Sequence, residues 1–204
     1  VERKFLRGDI RSHAVLAETV SGDAAVAHAI AYAQLVEGIT GTTVSPRAEA
    51  LRAVMLELER AAMHIGDLGA LSGDIAYISG ADMFGAVRTL VINTSQYIGG
   101  NRFGRGMVRP GGVMYDITDA MIPVILNTIA KVIGDIDAIA AALFSNPVAI
   151  NRFEGTGVVS RETADALGLT GPAARASGRN VDARRDQPSG LYLRQYPRVH
   201  VLDS

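Results

Sequence analysis

The sequence predicts a mainly α-helical protein: a helical bundle that gives way to an irregular, partly extended C-terminal loop region. Three observations lead there. Apolar residues recur at helical spacing in long runs, glycine and proline gather between those runs, and from Gly171 onward the chain turns polar, with arginines at 175, 179, 184 and 185. We therefore expect one helical domain over 1–204, with 171–204 as its irregular end.

The first run, about Asp23 to Ile39, carries Val26, Ile30, Ala33 and Val36 on one face and Tyr32, Leu35 and Ile39 on another. A helix apolar nearly all round is expected to be buried on several sides. Ser45-Pro46 offers an N-cap followed by proline at the first helical position. Leu51, Val54, Leu58 and Ile65 then carry the stripe to Gly66, Gly69 and Gly73, which are expected to interrupt it. A third run spans about Ala81 to Ile98 and ends at Gly99-Gly100, as glycine ends helices. Asn101 to Asp116, rich in glycine and arginine, reads as a loop with special backbone angles. The fourth run, about Thr118 to Phe144, spaces Ile122, Ile125, Ile129, Val132, Ile133, Ile136 and Ile139 helically, with Pro123 tolerated in its first turns. Ser160 to Leu167 reads as a short capped helix stopped by Gly168. Only Gly190 to Leu193 and the last few residues, Arg198 to Leu202, resemble strands.

Composition bounds the function. There are 20 basic and 21 acidic side chains and a net charge of −1, so a protein living by nonspecific contact with nucleic acid is disfavoured. At 48% hydrophobic and 20% charged residues, the chain should bury a real core. Cysteine is absent, which forbids disulfides, thiolate catalysis and cysteine-held metal within the chain. The longest stretch free of charge, Ala138 to Asn151, is 14 residues, short of the roughly 18 that a membrane-spanning helix needs. Val1-Glu2-Arg3-Lys4 opens no signal peptide. The chain reads as soluble and cytoplasmic, and as a piece of a longer product.

Four groups could carry chemistry. Ser21, Gly22 and Asp23 open the first long helix, where Ser21 could cap free N–H groups and Asp23 act on the helix dipole. His28 follows, one turn before Tyr32; a lone histidine there is more often a satisfied core residue than a ligand. Glu57, Arg60 and His64 share one stripe of the second helix, and Asp74 comes ten residues later, past the glycines. A buried Glu-Arg pair beside a histidine and an acid could relay protons, or could equally be an ion network that fixes helix register. Arg109 in Arg105-Gly-Met-Val-Arg109-Pro-Gly-Gly-Val113 could clamp a carboxylate or phosphate, although a tight interhelical loop explains the motif better. Arg175, Ser177, Asp182 and Arg184 could hold an anionic edge of a partner or be solvated surface. Spacing alone supplies no set of three or four converging metal ligands.

Taken in order, several segments resemble one family. These are Val1-Glu2-Arg3; Val20-Ser-Gly-Asp-Ala-Ala-Val-Ala-His28 with Ala31-Tyr32 and Val36-Glu37; Pro46-Arg47-Ala48 with Arg52; Leu56-Glu57-Leu-Glu-Arg60 and His64; Arg109-Pro-Gly-Gly-Val113; and Arg175-Ala-Ser-Gly178 with Asp182, Arg184 and Pro188. The chain resembles the large subunit of nickel-iron hydrogenases, in its energy-converting, formate hydrogenlyase-like branch, and the related quinone-site large subunit of respiratory complex I. That resemblance implies a bundle of the hydrogenase large-subunit type, lacking here the family's N-terminal β-rich part and C-terminal cysteine segment. The positions of the first two metal-binding cysteines fall on Ser21 and Ala24, which cannot replace soft anionic ligands. The resemblance therefore implies no metal site and no nickel-iron centre.

In the complex I branch the vacated site became part of a quinone chamber. An acid at the position of Asp74 there helps control a histidine near the quinone head, while the tyrosine that bonds the quinone falls on Gly22. The resemblance implies an oxidoreductase-complex subunit with no cofactor of its own, quinone as a candidate ligand, and an iron-sulfur small subunit and membrane subunits as partners. Its place would be peripheral, on the cytoplasmic side of the inner membrane. His28, Glu57, His64 and Asp74 are the expected catalytic positions. Ser21, Gly22, Asp23, Arg109, Arg175, Ser177, Asp182 and Arg184 are the expected binding positions. The alternative, from a different class, is a non-catalytic scaffold or assembly module that keeps the bundle for docking alone.

Overall fold

The computed structural model describes residues 2–201. Two compact units divide the chain, Val1–Ile150 and Asn151–Ser204.

The first unit is built on four long helices preceded by two short ones. The short helices, α1 (Glu2–Arg7) and α2 (Ile10–Ala17), are not among the elements that the sequence predicts. Phe5, His13 and Tyr32 hold them to α3 (Ala25–Thr40) through ring contacts at 5.2 to 6.4 Å. The Tyr32 hydroxyl adds a hydrogen bond to the Ile10 carbonyl at 3.2 Å. α3 is not buried all round. Ala25, Val26, Ala29, Ala33 and Glu37 turn inward, while Leu35 and Ile39 face outward.

α4 (Pro46–Asp74) is a single helix of 29 residues, capped at its start by the Ser45 hydroxyl, which accepts from the Ala48 N–H at 3.2 Å. The expected interruption at its glycines does not occur, for a packing reason. A Cβ on Gly66 would lie 3.0 Å from Arg88 Nε, and one on Gly69 would lie 3.4 Å from Phe84 Cβ. The glycines form a flat seam against α5 (Ile78–Gly99), and the close approach outweighs their cost to the helix, roughly 1 kcal/mol each. α5 ends as predicted, at Gly100 in the left-handed conformation with its N–H on the Gln96 carbonyl.

After α5 the chain makes a 3-10 turn at Arg102–Gly104 and a two-stranded antiparallel hairpin, β1 (Val108–Arg109) and β2 (Gly112–Val113). Pro110 and Gly111, the latter at φ 87°, form its tight turn. The core sits where these pieces meet: Val26, Met55, Phe84, Met107 and Val108 are all at most 1% exposed. Fully burying side chains of this size contributes about 1.5–3 kcal/mol each. α6 (Met121–Phe144) follows, with Ile125, Val132 and Leu143 buried and Ile122, Leu126 and Ile133 exposed, so its predicted stripe divides between two faces. α7 (Pro147–Phe153) runs across the division between units.

The second unit contains α8 (Arg161–Ala166), α9 (Gly171–Ala176) and α10 (Ala183–Asp186). Ser160 caps α8 through the Thr163 N–H, and Gly168 follows it at φ 64°, as the sequence predicts. The strand expected at Gly190 to Leu193 is instead a 3-10 turn. Arg198 to Val201 forms no strand either, and Leu202 lies outside the described residues. The chain is mainly α, and its one sheet among the described residues is the small hairpin.

Candidate functional site

The loop from Glu18 to Ala24, which carries Ser21, Gly22 and Asp23, is held from three sides by arginines far away in sequence. Arg105 donates to the Glu18 carbonyl at 2.9 Å and to the Gly22 carbonyl at 2.7 Å. Arg109 reaches the buried Glu18 carboxylate at 3.3 Å, and the same carboxylate oxygen accepts the Gly106 N–H at 2.8 Å. Arg88 on α5 pairs with Asp23 at 2.9 Å while its Nε donates to the Ala62 carbonyl.

Ser21 does not cap α3. The N-cap position is Ala24, and the free N–H groups behind it are satisfied by Glu59 of α4. Its carboxylate accepts from Val26 N–H at 2.7 Å and from Ala27 N–H at 3.0 Å. An anion at a helix N-terminus is favoured by the exposed N–H groups and by the helix dipole. Burial nonetheless pushes the Glu59 carboxyl upward, opposed by those two hydrogen bonds; Asp23 adds to the rise and Arg60 opposes it. Asp23, Glu59, Arg88, Ser95 and Phe103 line a cavity of about 10 Å³, enough for little more than one water molecule.

The hairpin is locked in a similar way. Arg52 on α4 donates to Glu37 on α3 at 3.1 and 2.6 Å, and to the carbonyls of Arg109 at 2.7 Å and Gly112 at 3.0 Å. Glu37 also accepts the Gly111 N–H at 2.7 Å. Burial works against the Glu37 charge, but the Arg52 and Gly111 hydrogen bonds and the Arg52 charge outweigh it and hold the carboxyl below its usual range.

The proton relay read along α4 is differently arranged. Glu57 and Arg60 pair at 3.3 Å but are 42% and 33% exposed, and His64 approaches Asp67 at 4.0 Å on an open face. Because α4 is unbroken, Asp74 stands ten residues further along the same helix, about 15 Å of axial rise from His64. It is exposed at the helix end. His28 is half-buried on α3, one turn from Tyr32.

In the second unit Asp182 is the hub. It caps α10 through the Arg184 N–H and takes the Arg184 guanidinium at 3.0 and 2.8 Å and Arg175 at 3.5 Å. Hydrogen bonding from Arg184 outweighs burial and holds its carboxyl at about 2, well under the usual 3.8. Ser177 is buried, its hydroxyl on the Ala173 carbonyl at 3.1 Å.

The residues that sequence reading missed are Glu18, Glu37, Arg52, Glu59 and Arg88. A signal existed for α4. Ala48, Arg52, Met55, Glu59 and Ala62 form a single buried stripe, so two charges interrupt an inward face. Val54, which the apolar pattern assigns to the inward stripe, faces outward.

Among the described residues no three His, Asp or Glu side chains gather to hold a metal ion. With serine and alanine at the positions where the resemblance puts two thiolates, the donor set does not fit a nickel-iron centre. The profile of the respiratory-chain NADH dehydrogenase 49 Kd subunit family matches residues 74–201. The chain belongs to this family.

Its relatives agree. NADH-quinone oxidoreductase subunit 4 of Thermus thermophilus is 34% identical over 166 residues, covering 81% of this chain and 41% of that protein. An NADH-quinone oxidoreductase subunit of Clostridium beijerinckii is 36% identical over 168 residues, covering 81% and 45%. The chain thus spans less than half the length of these curated relatives. A solved structure of the membrane-bound sulfane sulfur reductase, an archaeal respiratory membrane complex, superposes with a TM-score of 0.87 at 25% identity. That match covers 96% of this chain and 55% of the other. The resemblance read from the motifs, to the nickel-iron hydrogenase large-subunit family and the related large subunit of respiratory complex I, is borne out through its complex I relatives. Among the described residues no helix is long and apolar enough to cross a membrane.

Proposed function

We propose that this chain is part of a subunit of a membrane-associated oxidoreductase complex, of the hydrogenase large-subunit type but without a nickel-iron centre. The carrying observation is the family match over residues 74–201 together with likeness of fold over nearly the whole chain to a subunit of a respiratory membrane complex. In this reading the chain docks an iron-sulfur small subunit and membrane subunits, on the cytoplasmic side of the membrane. The Glu18 to Ala24 loop and the hairpin form a braced platform, and His28, Glu57, His64 and Asp74 stand on open or half-open faces where partners would complete a site. The 10 Å³ cavity does not admit a quinone headgroup. A quinone would instead bind at a surface shared with another subunit.

The test is isolation of the native complex. Co-purification of an iron-sulfur protein with quinone reductase activity is the expected result. Absence of a cluster-bearing partner, with no quinone-reductase, hydrogenase or formate-linked activity, would overturn it.

One observation favours a second reading, the non-catalytic scaffold. Arg109, a candidate for clamping a carboxylate or phosphate, is already committed to Glu18.

A further inference from the structure

Among the described residues, Glu18, Glu37 and Asp182 are buried acids that each face an arginine. Glu59 is also buried, yet the hydrogen-bond partners of its carboxylate are two backbone N–H groups at the start of α3. The charged groups around it are few. Asp23 comes from the preceding loop, Arg88 from α5 and Arg60 from its own helix. Arg88 is already paired with Asp23. The 3-10 turn contributes an aromatic ring, Phe103, held at φ 60°, a conformation that non-glycine residues seldom adopt. Backbone strain of this kind persists where surrounding structure fixes it, and it recurs at functional positions.

We propose that Glu59 is a proton-binding site, exchanging with solvent by way of the half-exposed Asp23, whose occupancy sets how firmly the first turn of α3 and the adjoining Ser21 to Ala24 loop are held. When the carboxylate is ionised, both oxygens accept from the helix. On protonation one oxygen becomes a hydroxyl, a weaker acceptor, and either Val26 or Ala27 N–H is left less well satisfied. The proton comes from bulk water and returns to it, so no other reactant is needed. A raised carboxyl within the cavity places this exchange nearer neutrality than for an exposed glutamate. The inference does not depend on the redox reading above.

The experiment follows protonation by infrared titration of the full-length subunit, watching the carbonyl band of a buried neutral carboxyl. Amide hydrogen exchange at residues 24–30 is measured alongside. The wild type is expected to gain the band as pH falls, with faster exchange in the first turn of α3 after correction for the intrinsic rate. E59Q should lack the band and show no pH-dependent change in corrected exchange. D23N removes the like charge and leaves Arg88 free to face the site, so the midpoint should move down by about one pH unit. If E59Q fails to fold, the D23N midpoint decides. A band that survives in E59Q, corrected exchange that follows pH identically in E59Q and wild type, or a midpoint unmoved in D23N overturns the proposal.

Discussion

Arg52 donates to both carboxylate oxygens of Glu37, joining α4 to α3, and carries the hairpin carbonyls of Arg109 and Gly112 on the same guanidinium. Both side chains are under 10% exposed, and such a pair costs most when half of it is removed. Arg52→Ala should therefore destabilise the chain by about 3–5 kcal/mol in chemical denaturation. The double variant R52M/E37L should lose much less than the two single losses added together. Additive losses would mean that the residues act independently.

The close packing around Gly104 gives a second expectation. A Cβ there would lie 2.6 Å from Met55 Cε and 2.8 Å from Val26 Cγ2, at φ 64°. Gly104→Ala should cost about 1–3 kcal/mol by overpacking, with a further ~1 kcal/mol from the left-handed backbone. Gly134→Ala, in the interior of α6 where nothing lies within 4 Å, should instead be neutral or slightly stabilising in thermal melts.

Asp182 sets a pH dependence in the second unit. Its carboxyl is held at about 2 against an ordinary 3.8, so the folded state favours the ionised form. The resulting stability is present above pH ~4 and is lost as pH falls toward 2, on the order of 2 kcal/mol. Amide exchange across residues 171–186 should show this acid loosening, and D182N should remove its pH dependence. A wild-type profile flat over that range would contradict the assignment.

Arg109 and Asp74 separate chemistry from scaffolding. Arg109→Ala takes the guanidinium from the buried Glu18 carboxylate while the Gly106 N–H still donates to it, and should speed exchange in the Glu18 to Ala24 loop. Asp74→Asn, at an exposed helix end, should leave folding within about 0.5 kcal/mol. An assembled complex that has lost electron transfer in D74N supports a catalytic role. Unchanged turnover in D74N, together with failed assembly in R109A, supports the scaffold.

The helices were legible because their periodicity is long and their ends carry local chemistry: Ser45-Pro46, Gly99-Gly100 and Ser160 all act as read. Gly66, Gly69 and Gly73 misled because propensity is a local quantity, whereas their role depends on α5 lying against them. The site was harder. Asp23 and Arg109 were visible as candidates, but their partners Arg88 and Glu18 lie 65 and 91 residues away. Glu59 is hidden in the sequence because Glu57, two residues earlier, completes the more familiar spacing with Arg60 and His64. Only the direction each side chain takes from α4 distinguishes the acid that faces inward from the one that does not.

The Glu59 cap has a consequence for biosynthesis. A chain made from its N-terminus finishes the first turn of α3 more than thirty residues before the group that closes it leaves the ribosome. Until then the leading N–H groups of that helix have only water to bond, and the loop ahead of it waits still longer for Arg88 and Arg105. The loop and the helix start behind it thus settle only after distant segments have been made, and a nascent chain stalled before α4 would expose them to whatever chaperone or partner is at hand.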